Sequence, residues 1–213
     1  ALATEAPLLL IGPHGTAKTL LVERIAQALG LEFRHYNASL INYDDLVGIP
    51  LPDETHKHLQ FITTPGAIWD AGFVFFDEIS RCRADLQNKL FPIIHEKRVI
   101  GMPIKDLQFR WAAMNPPSPD EPDFDNLSTD VYIGSEPLDP ALIDRFPFVI
   151  PVPNWRDIER ADRRRMLSFT QDATDKKPLN LAELIQECRD GMIAVEHEYG
   201  EWLSDYMIYV MDL

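Results

Sequence analysis

Apolar residues in this chain fall into two kinds of segment. Short continuous runs, "PLLLI" (7–11), "LEFRHYN" (31–37), "DAGFVFFDE" (70–78), "LQFRWAAMN" (107–115) and "FPFVIPV" (146–152), read as β-strands. The unbroken apolar character of the third predicts a strand covered on both faces, as in a parallel sheet. Between the runs, apolar residues recur at helical spacing. "AKTLLVERIAQALG" places Leu21, Ile25, Ala28 and Leu29 on one stripe and stops at Gly30. "ADLQNKLFPIIHEK" does the same with Leu86, Leu90 and Ile93 or Ile94, and Pro92 is expected to kink it. Strand and helix in alternation predict an α/β fold: a mostly parallel five-stranded sheet with right-handed crossovers and flanking helices.

After Pro153 the strand pattern ends. "NWRDIERADRRRMLSF" reads as a helix, and so does the stretch from Leu181 to the last residue, with Leu181, Leu184, Ile185 and Cys188 on one face. Two domains are therefore expected, an α/β domain over 1–152 and a partial all-α domain over 153–213. The final helix runs out without a C-cap, so the expectation is a piece of a longer protein.

Composition narrows the class. At 213 residues, 46% of them apolar, the chain can bury a real core. No apolar run reaches the ~20 residues that cross a bilayer, and no basic leader precedes the first strand. Cys82 and Cys188 lie far apart and form no metal-ligand pair, which reads as reduced thiols in the cytoplasm. The net charge of −14 argues against nucleic acid as a partner, because affinity for phosphates comes from Lys and Arg. The one basic cluster, Arg156 to Arg165, has acids interleaved and reads as a solvated helix face.

The chemistry concentrates after the first strand. "GPHGTAKTL", from Gly12 through Pro13, His14, Gly15, Thr16, Ala17, Lys18 and Thr19 to Leu20, is nearly the phosphate-loop pattern G-x-x-x-x-G-K-[ST], with Ala17 at the second glycine position. Such a loop turns backbone N–H groups onto phosphate oxygens at the positive end of a helix. Lys18 would reach the β- and γ-phosphates, and Thr19 would hold Mg²⁺ through its hydroxyl. Alanine is tolerable at 17 if that residue has helical torsions. The strand "FVFFDE" ends in Asp77, expected in the Mg²⁺ shell, and Glu78, expected to orient the attacking water. Asn115, at the end of its own strand, would stand beside the γ-phosphate. Arg145, in "ALIDRF", is a candidate arginine finger for a neighbouring subunit. His14 reads as a loop residue, not as a base, and no nucleophile elbow or zinc-ligand spacing is present.

These four pieces in this order resemble the AAA+ ATPases, over Ile11 to at least Val152, and more closely the MoxR branch that contains NorQ and CbbQ. Loops of the form G-x-x-G-x-A-K-T are familiar there, "TTPGAIWDAGFVFFDEISR" is similar to the run around the acidic strand end, and "ALIDRF" to the arginine-finger segment. The resemblance implies an insert in the second helix within residues 42–66, a β-hairpin in "KRVIGMPIKDLQF", and a ring, usually a hexamer, with ATP and Mg²⁺ between subunits. Arg145 would act in trans, and Arg81 is either a second such arginine or a structural salt bridge at the start of a helix. It implies remodelling of a protein client, with a von Willebrand A domain protein as partner. A lid arginine in an S-x-R motif belongs to the pattern and is missing here; Arg189 lacks that context. Two other functions fit the same motifs: a nucleotide-sensing scaffold with little turnover, and a nucleic-acid motor, which the charge disfavours.

Overall fold

A computed structural model describes residues 1–52, 54, 59–116, 138–167 and 181–211. Five strands form one sheet: β1 (Leu8–Ile11), β2 (Phe33–Asn37), β5 (Phe73–Asp77), β8 (Phe109–Met114) and β9 (Phe148–Pro151). Their order is β2-β5-β8-β1-β9, and every neighbouring pair is parallel. Each of the five apolar runs is thus a strand of this sheet, as their pattern predicts.

Successive residues of a strand face opposite ways, and here both faces are covered. Leu9, Val74, Phe76, Ala112 and Met114 pack on one side with Leu86, Leu90, Ile93 and Ile94 of α3 (Ala84–Glu96). Leu8, Leu10, Phe73, Phe75, Phe109 and Trp111 pack on the other with Val22 and Ala26 of α1 (Lys18–Ala28). Two buried layers explain why β5 and β8 show no polar alternation. The helix α3 continues past Pro92, and both Ile93 and Ile94 are fully buried beyond it.

The buried line of α1 differs from the stripe read in the sequence. Lys18, Val22 and Ala26 face inward, while Leu21 and Ala28 are exposed and Ile25 and Leu29 are half-buried. The helix is rotated because Lys18 must turn into the loop that precedes it; residues four and eight further on then follow it inward.

Two small antiparallel ribbons are separate from this sheet. The segment after β2 holds a short helix α2 (Tyr43–Val47) and the ribbon β3 (Ile49–Pro52) with β4 (Leu59–Ile62). The expected hairpin is β6 (Arg98–Val99) with β7 (Met102–Pro103). After α4 (Pro140–Ile143) and β9 come α5 (Arg160–Leu167) and α6 (Leu181–Met211). The segment 154–159, expected to be helical, is instead a turn stapled by Asn154 N–H donating to Asp157 at 3.1 Å. The acidic proline-rich loop lies outside the described residues from 117 onward, as does the middle of the 42–66 insert. Among the described residues no helix is long and apolar enough to cross a membrane. Both cysteines are free thiols, and burial pushes Cys82 up to about 11.

Candidate nucleotide site

The carboxyl ends of β2, β5, β8 and β1 stand side by side, which is where an open α/β sheet offers a ligand crevice. A cavity of about 440 Å³ opens there, lined by residues 14 to 20 with Asp77, Glu78 and Asn115. A larger groove, of about 1340 Å³, runs along α6 past Met192, Val195 and Leu203. That groove is lined by α6 alone, whereas the sheet-edge cavity gathers a lysine, a threonine, two acids and an asparagine from separate elements and is the candidate site.

The loop leaves β1 at Gly12, whose N–H donates to the Met114 carbonyl at 3.1 Å. A Cβ here would lie 2.7 Å from Val152 Cβ and 2.9 Å from the Val152 carbonyl oxygen. Glycine is therefore demanded by close packing on the end of β9. Further along, Gly15 (φ 74°) and Ala17 (φ 58°, ψ 26°) are both left-handed. The helical torsions that would make alanine easy at 17 are absent. Ala17 stands before α1 in a conformation that costs a non-glycine residue ~1–2 kcal/mol, so the G-x-x-x-x-G form of the loop has a torsional reason.

Lys18 is buried, and its ammonium donates to the carbonyls of Gly12 and Pro13, each at 2.8 Å. The Thr16 hydroxyl donates to the same Pro13 carbonyl at 2.8 Å. Burial lowers the Lys18 pKa, while Asp77 and Glu78 pull it back up. Burial outweighs the two acids, so the pKa lies below that of a free lysine.

Those acids sit at the end of β5. The Thr19 hydroxyl donates to Asp77 Oδ2 at 3.0 Å, and the Glu78 N–H donates to Asp77 Oδ1 at 2.9 Å. His35 Nε2 lies 3.7 Å from Asp77 Oδ2. Burial pushes the Asp77 carboxyl up, but His35, Thr19 and the Glu78 N–H together outweigh it and hold it below the usual carboxylate range. A hydroxyl and an ionised carboxylate in contact are the hard oxygen donors that Mg²⁺ accepts from protein while phosphates and water fill its other positions. The residues therefore fit that metal.

Glu78 is a left-handed residue (φ 54°, ψ 38°) between β5 and the turn Ile79–Arg81. Its Oε2 accepts from Ser39 Oγ at 3.2 Å and from Asn37 Nδ2 at 3.5 Å, and lies 3.7 Å from Arg81. Arg81 thus faces the glutamate of its own chain. Sequence reasoning missed Asn37, Ser39 and His35. The polar ending "HYNAS" of the second strand was the signal, but only the strand order puts it beside the acids: Asn37 registers with Asp77.

Asn115 is buried at the end of β8, with its Nδ2 2.9 Å from His14 Nε2. Arg145 does not line this cavity. Its guanidinium lies 4.7 Å from the centre of the Phe91 ring and donates to the Ala141 carbonyl. Arg189 is also elsewhere, on the Ala3 carbonyl and the Glu5 carboxylate, each at 2.9 Å. The structure brings together residues 12 to 20, Asp77, Glu78 and Asn115, and leaves Arg145 apart.

A family model described as an AAA domain of the dynein-related subfamily matches residues 7–146. The chain is also similar to the crystal structure of a candidate ATPase from Cytophaga hutchinsonii, with 25% identity and a TM-score of 0.53. That match covers 80% of this chain and 48% of the other, so the chain spans about half the length of that relative.

Proposed function

The chain belongs to the AAA domain family, in its dynein-related subfamily, and on that premise we propose that it is an ATPase. The observation that carries the reading is the Thr19–Asp77 contact closing the phosphate loop onto the acidic end of β5, with Lys18 and Glu78 on either side. Residues 12 to 20 would wrap the phosphates, with Lys18 giving its ammonium to the oxygens. Thr19 and Asp77 would hold Mg²⁺, which when bound supplies positive charge to the β- and γ-phosphate oxygens. Glu78 orients a water toward the γ-phosphorus and takes up its proton as the new P–O bond forms and the bond to ADP breaks. Its carboxylate is already aimed by Ser39 and Asn37. Asn115 completes the water's surroundings, and Arg145 serves the site of a neighbouring subunit.

At the finer level we read the chain as a MoxR-type ATPase of the NorQ/CbbQ kind. Residues 1–152 form the nucleotide-binding domain and 153–213 the lid, in a cytoplasmic ring, usually a hexamer. A von Willebrand A domain protein would deliver it to a protein client. The two ribbons support this: both expose apolar side chains, Ile49, Leu51 and Ile62 on one and Ile100 and Met102 on the other, as surfaces that grip a polypeptide do. The test is Glu78→Gln, assayed for nucleotide affinity and for phosphate release at concentrations that permit rings. Affinity should persist while release falls by at least ~10²-fold. Unchanged release in that variant would refute the assignment of Glu78. An assembled wild-type ring that releases no phosphate would leave the scaffold reading in its place.

A further inference from the structure

The loop histidine has a partner that its sequence position does not suggest. His14 stands between Pro13 and the left-handed Gly15, and its Nε2 is 2.9 Å from the side-chain nitrogen of Asn115, on the next strand. With the amide NH₂ turned toward the ring, as the contact has it, the imidazole nitrogen facing it is the acceptor. That places the ring proton on Nδ1. An asparagine amide is nearly symmetric in shape, and its two flipped orientations differ only in which end meets a donor or an acceptor. An acceptor fixed on one side selects one of them. Asn115 is buried at the carboxyl end of β8, and His14 and Glu78 line the same cavity.

We infer that His14 is a positioning residue for hydrolysis: by accepting from Asn115 Nδ2 it fixes the orientation in which that amide meets the attacking water and the γ-phosphate. The inference rests on the ATPase reading for its consequence, but the contact itself is testable without nucleotide. His14 moves no proton in this scheme. Its side chain reaches the reaction through Asn115, while the loop would meet the phosphates through backbone N–H groups, so the side chain belongs to turnover and not to nucleotide affinity.

The experiment has two arms. In nucleotide-free protein at alkaline pH, ¹⁵N NMR of the imidazole side chains reports the tautomer of each histidine, and the His14 signals are those missing from His14→Gln. The expected result is an Nδ1–H ring with Nε2 as acceptor. In Asn115→Asp, where a carboxylate replaces the amide, the proton should move to Nε2. An Nε2–H ring in the wild type would overturn the acceptor role of His14, and signals indifferent to Asn115→Asp would overturn the contact. In the second arm, His14→Ala should lower kcat by roughly 3- to 10-fold, the worth of one hydrogen bond, with KM for ATP within about twofold. His14→Gln, which keeps a side-chain acceptor, should recover most of the loss. In an Asn115→Ala background His14→Ala should cost nothing more. An equal loss in both backgrounds, or a loss carried in KM, would overturn the positioning role. Absence of hydrolysis in the wild type would instead strike the ATPase reading, with the first arm still deciding the contact.

Discussion

At residue 12 the chain passes so close to β9 that no side chain fits, and at residue 17 it turns into a conformation that alanine adopts at a cost. These constraints have different signs under mutation. Gly12→Ala drives a methyl against the backbone of Val152, which cannot rotate away, and should destabilise the protein by about 1–3 kcal/mol in a denaturant titration. Ala17→Gly relieves ~1–2 kcal/mol of left-handed strain and returns roughly 0.4–1 kcal/mol of chain entropy to the unfolded state. The net expectation is a gain of up to about 1.6 kcal/mol. A helical residue 17 would instead lose about 1 kcal/mol on becoming glycine. The direction of the shift in melting temperature therefore decides the torsion. Glu78 shares this conformation at the cavity wall, and backbone strain of this kind gathers at active sites.

At the scale of elements, the N-terminal segment ties the sheet to the last helix. Glu5 Oε2 meets Lys97 at the end of α3 at 2.7 Å, and its Oε1 meets Arg189 of α6 at 2.9 Å. Its backbone carbonyl accepts from Arg110, buried in β8, at 2.7 Å. Burial pushes the Glu5 carboxyl up, but Lys97 and Arg189 outweigh that and hold its pKa below the usual range. A carboxyl depressed in the folded state adds stability that is present above its unfolded pKa and is lost as pH falls through the folded value. Thermal stability should therefore decline on the acid side, below the ordinary carboxylate range, and Glu5→Gln should flatten that decline. Each of these half-exposed pairs is worth about 1 kcal/mol or less at neutral pH. Hydrogen exchange in residues 181–189 should rise in the same variant, because one of the anchors of α6 is gone. Unaltered acid stability in Glu5→Gln would show that the carboxylate adds nothing and that the Glu5 and Ala3 carbonyls, on Arg110 and Arg189, hold the segment.

For the whole molecule, the position of Arg145 matters most. It lies outside the cavity formed by its own loop and acids, against Phe91, so a role in hydrolysis requires a second copy. Arg145→Ala alone should lose on the order of 10³-fold or more in rate. Mixing it with Glu78→Gln should restore part of the activity, because some interfaces then pair an intact Glu78 with an intact Arg145. Phosphate release that stays at the level of the separate variants after mixing would rule out action between subunits. Arg81 behaves differently at this scale: its ion pair with Glu78 keeps it on its own chain's site, and a role in trans would first require that pair to break.

The order of residues along the chain determined the five strands of the sheet, α1, α3, the phosphate loop and the acidic strand end, because each rests on local chemistry: unbroken apolar runs, helical spacing, glycines before Lys-Thr, paired acids after a buried strand. What the chain order leaves open is which strands become neighbours. Parallel strands are joined by long crossovers, so adjacency in the sheet is set by packing across distant segments. Only the tertiary structure put Asn37 and Ser39 against Glu78, His14 against Asn115, and Arg145 away from the cavity. It also set the rotation of α1, where one lysine turned inward outweighed an apolar stripe, and the left-handed Ala17, which no pattern of hydrophobicity encodes.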